Sequence, residues 1–558
     1  MRISRRRFVT FAAAAGSLWT ARRFLGDGPA RGASDTLAIP QFIDVTAKSG
    51  INFRHSFGEK ELSSILEGTG SGCAWLDYNN DGLLDLYVVN GRYVEGLTNH
   101  SAPDGVDATN HLYRNNGDGT FTDVTAEAGV GGKGLGIGVT VGDFDNDGYE
   151  DIYVTNYNSA ILYHNNGNGT FTDVTADAGV ENPYFGTGAA FLDYDRDGRL
   201  DLFVGNYLRY VPSYRQFYPG DHYPGPLDYD PEFNRLFHNN GNGTFTDVSK
   251  ESGIALHPGR AMGVTVGDYD NDGWPDIYVA NDTMPSFLYH NNHDGTFSNV
   301  AVNVNVAYGQ NGEATTAMGP IFGDLDNDGW QDLFVSDARF HRLFHNPGKA
   351  GGFFMDVTSD AGVGEVSGQY VGWGDGILDF DNDGWKDIFI VNGGLTWLIP
   401  MESALLRNNG NNTFSDVSTR AGSFFEQRHV SRCVCFGDYD NDGYIDAFVS
   451  TLGGNGILLH NTPPAGKRNH WLTVKLVGTR SNRDGYGASV EATAGGLHQY
   501  VQAVSESGYL SQNDPRPHFG LGQNTEVDRL VVRWPSGTVQ TLERIKADQI
   551  LTIKEPEA

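Results

Sequence analysis

Short apolar runs recur along the chain, with Gly, Asn and Asp between them. One unit serves as the pattern. Gly138-Val139-Thr140-Val141-Gly142 is a Gly-rich apolar run, and Asp151-Ile152-Tyr153-Val154 alternates; both predict strands. Leu162-Tyr163-His164-Asn165 comes next, then the turn Asn166-Gly167-Asn168-Gly169, and Phe171-Thr172-Asp173-Val174-Thr175 closes the unit. Asn-Gly pairs tolerate positive φ and suit tight hairpins. Four hairpin-linked strands per unit are expected.

The pattern repeats. Asp-x-Asp/Asn-x-Asp-Gly-x-x-Asp begins at Asp77, Asp143, Asp193, Asp268, Asp324, Asp379 and Asp438, at intervals of 66, 50, 75, 56, 55 and 59 residues. Such a period matches one four-stranded propeller blade with its loops. A Phe-x-Asp/Asn-Val strand also occurs seven times, at Phe42, Phe121, Phe171, Phe245, Phe297, Phe354 and Phe414. The first copy precedes every Asp motif and none follows Leu458–Asn461, so Phe42–Thr46 is expected to complete the last unit and seal its edge. The expected fold is all-β: a seven-bladed β-propeller over 40–463, then a small β-sandwich over 469–556. Alternating runs at Trp471–Val477, Ala488–Ala492 and Arg529–Trp534 predict the second part.

Charge narrows the function. The 558 residues include 70 acidic and 39 basic side chains, a net charge of −31, which disfavours nucleic acid as a partner. Three cysteines, Cys73, Cys433 and Cys435, do not make a disulfide framework and read as buried thiols, the alternative being a bridge from Cys73 to one of the other two.

The acidic residues are placed rather than scattered. Oxygens at loop positions 1, 3 and 5, Gly at 6, a carbonyl at 7 and a later carboxylate wrap Ca²⁺. The candidate metal ligands are Asp77, Asn79, Asp81 and Asp85; Asp143, Asp145, Asp147 and Asp151; Asp193, Asp195, Asp197 and Asp201; Asp268, Asp270, Asp272 and Asp276; Asp324, Asp326, Asp328 and Asp332; Asp379, Asp381, Asp383 and Asp387; and Asp438, Asp440, Asp442 and Asp446. Strands flank these loops, and the last carboxylate stands at position 9, so they are not EF-hands. Four like charges about 5 Å apart repel by roughly 5 to 20 kcal/mol per loop as the effective dielectric falls from about 80 to 20. Up to seven Ca²⁺ are expected; seven would take the net charge from −31 to −17.

The first residues address the chain. Ser4-Arg5-Arg6-Arg7-Phe8-Val9 resembles a twin-arginine export signal, followed by a weakly apolar stretch too short to span a bilayer. A signal over 1–33, cleaved near Ala30 or Ala33, implies a periplasmic or extracellular protein with no transmembrane segment in the mature chain.

Two connections between the second and third strands of a unit are expanded, Asp85 to Leu112 and Asp201 to Leu236. The second carries Tyr207, Tyr210, Tyr214, Phe217, Tyr218, His222, Tyr223 and Tyr229. Two readings stay open: the first seven bind a protein or glycan ligand on the face opposite the Ca²⁺ loops, or the rings fold onto neighbouring units. Glu67, Glu313, Arg428 and His429, with His222, are polar residues that could line a pocket. No Ser/His/Asp order, zinc spacing or phosphate loop emerges, so no catalytic residue is assigned.

The array resembles FG-GAP/VCBS repeats. Asn469-His470-Trp471-Leu472, Gly478-Thr479-Arg480-Ser481-Asn482-Arg483-Asp484-Gly485, Gly508-Tyr509-Leu510-Ser511-Gln512, His518-Phe519-Gly520-Leu521-Gly522 and Trp534-Pro535-Ser536-Gly537 resemble the ASPIC/UnbV segment of cartilage acidic protein-like proteins. The resemblance implies a secreted calcium-binding or adhesion-related role, with no catalytic residues to carry over. A binding or scaffolding module of the cell envelope is the expected function; the alternative is an enzyme acting on a polysaccharide or biosynthetic intermediate. The tail motifs stay open between core packing and a site.

Overall fold

Each repeat unit opens on a buried or nearly fully buried strand and grows outward. In the second unit Gly136–Gly142, Asp151–Asn156, Ala160–Asn165 and Phe171–Asp173 pair antiparallel in chain order. Every residue of the first two strands is buried, whereas in the fourth only Phe171 is. The gradient explains the sequence: Gly and β-branched residues inside, an anchoring Phe on a polar strand outside. The computed structural model describes residues 38–557 except 58–61, 93, 95–107, 133, 219–221, 350–351, 369 and 506–507. The export signal expected over 1–33 lies outside the described residues.

The first, third and sixth units repeat this order as separate four-stranded sheets. In the last unit Ser431–Gly437, Asp446–Thr451 and Ile457–Thr462 are joined by Gln41–Asp44, with Phe42 opposite Asn461. The fourth and fifth units differ. Their strands Asp276–Met284 and Thr315–Gly323 run to nine residues each and pair at Asp282↔Thr316 and Met284↔Thr315, forming one eight-stranded sheet. The expected seven-bladed β-propeller is therefore corrected. Among the described residues the repeats form five four-stranded sheets and one of eight, not seven separate blades.

The C-terminal strands form two sheets. His470–Val477 lies between His518–Gly522 and, in parallel, Gln549–Lys554. Leu497–Gln502, Ser489–Ala494, Glu526–Arg533 and Val539–Lys546 make the second. Burial in Ser489–Ala494 alternates, and Val490, Ala492, Leu472, Val474, Leu530 and Trp534 share one core. Residues 37–558 make one compact unit in which tail and repeats pack directly.

Close approach between first strands requires glycine. A Cβ on Gly263 would lie 2.3 Å from the Met318 carbonyl oxygen, and one on Gly72 would lie 1.9 Å from that of Leu510. The residue before Gly263 and its equivalents faces a shared core of Ile137, Met262, Met318 and Trp373, which also contains Tyr509 and Leu510 of the tail. The tail motif Gly508–Gln512 is thus packing material. Gly508 N–H donates to Pro320 O at 3.1 Å and Gln512 N–H to Cys73 O at 3.0 Å. Cys73, Cys433 and Cys435 are buried thiols, none in a disulfide.

Candidate metal centres

The nine-residue motif folds the same way seven times. The position-1 carboxylate accepts N–H bonds from positions 5 and 6, as in Asp143 from Asp147 (2.9 Å) and Gly148 (2.7 Å), or Asp438 from Asp442 (2.9 Å) and Gly443 (2.8 Å). Position 4 is left-handed, with φ between 55° and 60° at Asn80, Asn146, Arg196, Asn271, Asn327, Asn382 and Asn441. Asn tolerates that region, which is why it fills six of the seven positions. These bends turn the side chains at positions 1, 3 and 5 toward one point.

The third strand supplies the other wall. Its Asn N–H donates to the position-9 carboxylate, for example Asn165 to Asp151 at 2.7 Å and Asn461 to Asp446 at 2.7 Å. The same Asn donates through its side chain to the loop of the unit before, as Asn165 does to Tyr78 O at 2.8 Å. The preceding residue is His164, His238, His290, His345 or His460 in five units; its Nδ1 lies 3.0–3.3 Å from the position-9 oxygen and 3.4–3.7 Å from position 3. Asp145, Asp147 and His164 are spaced to coordinate a divalent cation, as are the matching triads at His238 and His290 and, with position 9 in place of position 5, those at His345 and His460. Sequence reasoning missed these histidines, although the variable third position of Leu-Tyr/Phe-x-Asn carried them.

Electrostatics fit a cation there. Burial first, and then neighbouring carboxylates, push Asp85 and Asp201 up to about 8, and Asp151, Asp276 and Asp446 to about 7. Burial and carboxylate neighbours also hold Asp438 well above the ordinary range. Hydrogen bonds to Asp332 and Asp446 raise His345 and His460 to about 9. Position-3 oxygens Asp195 Oδ1, Asp270 Oδ1, Asp326 Oδ1 and Asp381 Oδ1 are buried without a hydrogen-bond donor, as is Asp85 Oδ2 at position 9. Buried acceptors are normally satisfied, so an unsatisfied carboxylate oxygen beside the other carboxylates of its loop fits a bound cation.

The aromatic segment leaves Asp201–Asn206 at the end away from the Asp loop. The structure divides it. Tyr207 is buried and donates to Asp282 Oδ2 at 2.6 Å, Tyr210 packs on Tyr229 and Tyr157, and Tyr223 is half-buried against Phe57, Leu62 and Leu452. Tyr218 is half-buried, with Asp228 as its side-chain partner. Tyr214 stacks on Tyr229 with one side open, His222 is exposed, and Phe217 is 70% exposed. Of the remaining polar candidates, Glu67 is buried and accepts from Ser63 and Ser64; Glu313 pairs with Arg342 and Arg428 with Glu402; His429 stacks on Phe424. The structure does not bring these residues together into a mutually contacting cluster.

No helix among the described residues is long and apolar enough to cross a membrane. Human cartilage acidic protein 1 is 27% identical over 426 residues, covering 73% of this chain and 60% of its own length. The mouse protein is 27% identical over 419 residues, covering 73% of this chain and 62% of its own. The chain thus spans about 60% of these relatives' length. A solved Agrocybe aegerita lectin, described as recognising non-reducing terminal N-acetylglucosamine, aligns with a TM-score of 0.40 at 16% identity, over 69% of this chain and 86% of its own. The FG-GAP-like repeat family matches residues 77–154, 143–204, 227–279, 268–335 and 379–449, and ASPIC and UnbV matches 478–558. The chain belongs to the FG-GAP-like repeat family and carries an ASPIC and UnbV segment behind its repeats.

Proposed function

We propose that this chain is a periplasmic or extracellular binding or scaffolding module whose Asp loops are rigidified by Ca²⁺, and that its role is binding rather than catalysis. The observation that carries this reading is a buried, donor-free carboxylate oxygen at position 3 in the third, fourth and fifth loops, set beside the other carboxylates of loops whose remaining geometry is already fixed. In such a loop positions 1, 3, 5 and 9 offer side-chain oxygens and position 7 its carbonyl, a set of hard oxygens beside the histidine of five units. Mg²⁺ suits it less, since it keeps several waters. Bound Ca²⁺ would relieve the mutual repulsion of the carboxylates and stiffen the loop end of each sheet. At the opposite end, Phe217 (70% exposed), Trp397 (56%) and Tyr214 (37%) offer rings to a protein or glycan partner.

Thermal melts of the exported chain test the calcium reading. Each site filled at 100 times its dissociation constant adds about 2.7 kcal/mol, so chelation lowers the melting temperature by many degrees. Equal melting temperatures in EDTA and in millimolar Ca²⁺ sink it. Partner binding is tested by glycan-array and pull-down screening of the Ca²⁺-loaded chain, with Phe217→Ala and Trp397→Ala expected to weaken any hit.

A further inference from the structure

In one loop a single guanidinium holds two of the carboxylates. Where five units place histidine before the conserved Asn, the sixth places Arg407. Its Nε donates to Asp381 Oδ2 at 2.7 Å and its Nη2 donates to Asp383 Oδ2. Asp381 and Asp383 are positions 3 and 5, so the guanidinium holds two of the oxygens through which the other loops would grip a metal. All three side chains are largely buried: Arg407 is 17% exposed, Asp381 10% and Asp383 14%. In the five histidine loops the His Nδ1 stands 3.4–3.7 Å from the position-3 oxygen, and where position 5 is paired a different residue does it: Arg199 on Asp197, His293 on Asp272 and Arg468 on Asp442. Asp381 Oδ1 stays without a donor, as its counterparts do, but one oxygen is not a ligand set. The first unit has Arg114 at this place, exposed and without an ion pair to a described residue, so among the described residues a guanidinium spanning positions 3 and 5 belongs to the sixth loop.

The tail rests on this loop as it does on others, such as the second, where Asp143 N–H donates to Asp484 Oδ2 at 2.8 Å, and the fourth, where Asp268 N–H donates to Gln502 Oε1 at 2.9 Å. Gly522 N–H donates to Asn382 O at 2.8 Å, Asn469 Nδ2 to Asp381 O at 2.7 Å, and His518 Nε2 lies 2.8 Å from Asn382 Oδ1. Packing there is tight: a Cβ on Gly520 would lie 2.0 Å from Asp379 Oδ2. Such contacts need the loop in one conformation at all times.

We propose that the sixth loop binds no Ca²⁺ and is instead a permanently charge-compensated latch, held by Arg407, on which the C-terminal sheets dock whatever the metal supply. This rests on the calcium reading of the remaining loops. An arginine cannot leave as an ion does, so this contact keeps its shape when chelation releases the others.

Native mass spectrometry of the intact chain counts bound Ca²⁺. Asp145→Asn, in the second loop, lowers the count by one, whereas Asp381→Asn leaves it unchanged. Arg407→His, which restores the residue of five other units, raises it by one. Hydrogen exchange on the unaltered chain gives a readout independent of any variant: Asp147 and Gly148 amides gain protection with Ca²⁺, while Asp383 and Gly384 stay equally protected with and without it. Loss of one Ca²⁺ on Asp381→Asn, or Ca²⁺-dependent protection at Gly384, overturns the latch. A chain that binds no Ca²⁺ at all overturns the calcium reading instead, so the two failures are told apart.

Discussion

Tyr509 of the tail donates its hydroxyl to the carbonyl oxygen of Thr69 at 2.9 Å, across 440 residues of chain. Its ring stands edge-on to Trp373 at 5.4 Å and is fully buried. The tail therefore fills space among the first strands of several units. Tyr509→Phe removes one buried hydrogen bond and is expected to cost about 1 kcal/mol. Tyr509→Ala leaves a cavity where those strands meet and is expected to cost about 3–5 kcal/mol. Urea unfolding of the two variants in saturating Ca²⁺ checks both; equal, small losses would mean the ring is not a core element.

Gly263 tests the close approach of neighbouring units. A Cβ there meets Met318 O at 2.3 Å and Pro320 Cδ at 2.5 Å, and neither a carbonyl nor a proline ring can swing aside. Gly263→Ala is expected to destabilise by about 1–3 kcal/mol through overpacking. The equivalent change at Gly82, whose Cβ would meet nothing within 4 Å, is opposed only by its φ of 84°. Comparing the two melting temperatures separates backbone strain from collision.

What the sequence disclosed and what it withheld divides along contact range. The Asp loops were legible because all their geometry sits in nine consecutive residues, from Asp143 to Asp151 for instance. The Phe42 strand was legible by counting, since one copy was missing after Asn461. The merger of two units was not: it depends on Asp282 and Thr316 extending their strands by a few residues, which no local pattern encodes. Tyr509 in the core was equally out of reach, because its partners lie hundreds of residues away. Arg407 was visible in the Leu-x-x-Asn motif, but it reads as a surface charge until Asp381 and Asp383 are placed beside it. The aromatic segment left two readings open, and its rings divide between them: Tyr207 packs inward while Phe217 faces solvent.

Acidity should favour the metal-free chain. An Asp in the unfolded state titrates near 4, whereas burial and carboxylate neighbours raise Asp151, Asp276 and Asp446 to about 7 and Asp201 to about 8. Between those values the folded state holds more protons than the unfolded one. The stability linked to these groups is fully present below about pH 4 and is lost as the pH rises through about 7 to 8. In EDTA the melting temperature should therefore fall from about pH 5 to about pH 8. Saturating Ca²⁺, which needs the carboxylates ionised, should abolish or invert that trend. A melting temperature in EDTA that climbs over this range would count against the buried, protonated carboxylates.

The loops are also tied to one another. Asn at position 4 reaches the position-6 carbonyl of the next unit: Asn80 to Gly148 at 2.7 Å, Asn146 to Gly198 at 3.0 Å, Asn271 to Gly329 at 3.0 Å, Asn327 to Gly384 at 2.9 Å, Asn382 to Gly443 at 2.7 Å and Asn441 to Gly82 at 3.0 Å. The third loop breaks the series, since Arg196 turns instead to Pro535 O at 2.8 Å and lies over Trp274. Because Gly198 O is pinned by Asn146 from the loop before, ordering one loop helps to order the next, and Ca²⁺ binding should be cooperative between them. Asn146→Gly keeps the left-handed backbone while removing the link. It is expected to cost about 1 kcal/mol in stability and to make the calcium titration shallower. Asn271→Gly should do the same, whereas Arg196→Asn, which supplies a link where none exists, should steepen it. Calorimetric titration of the three variants decides: isotherms of unchanged slope would mean that neighbouring loops fill independently.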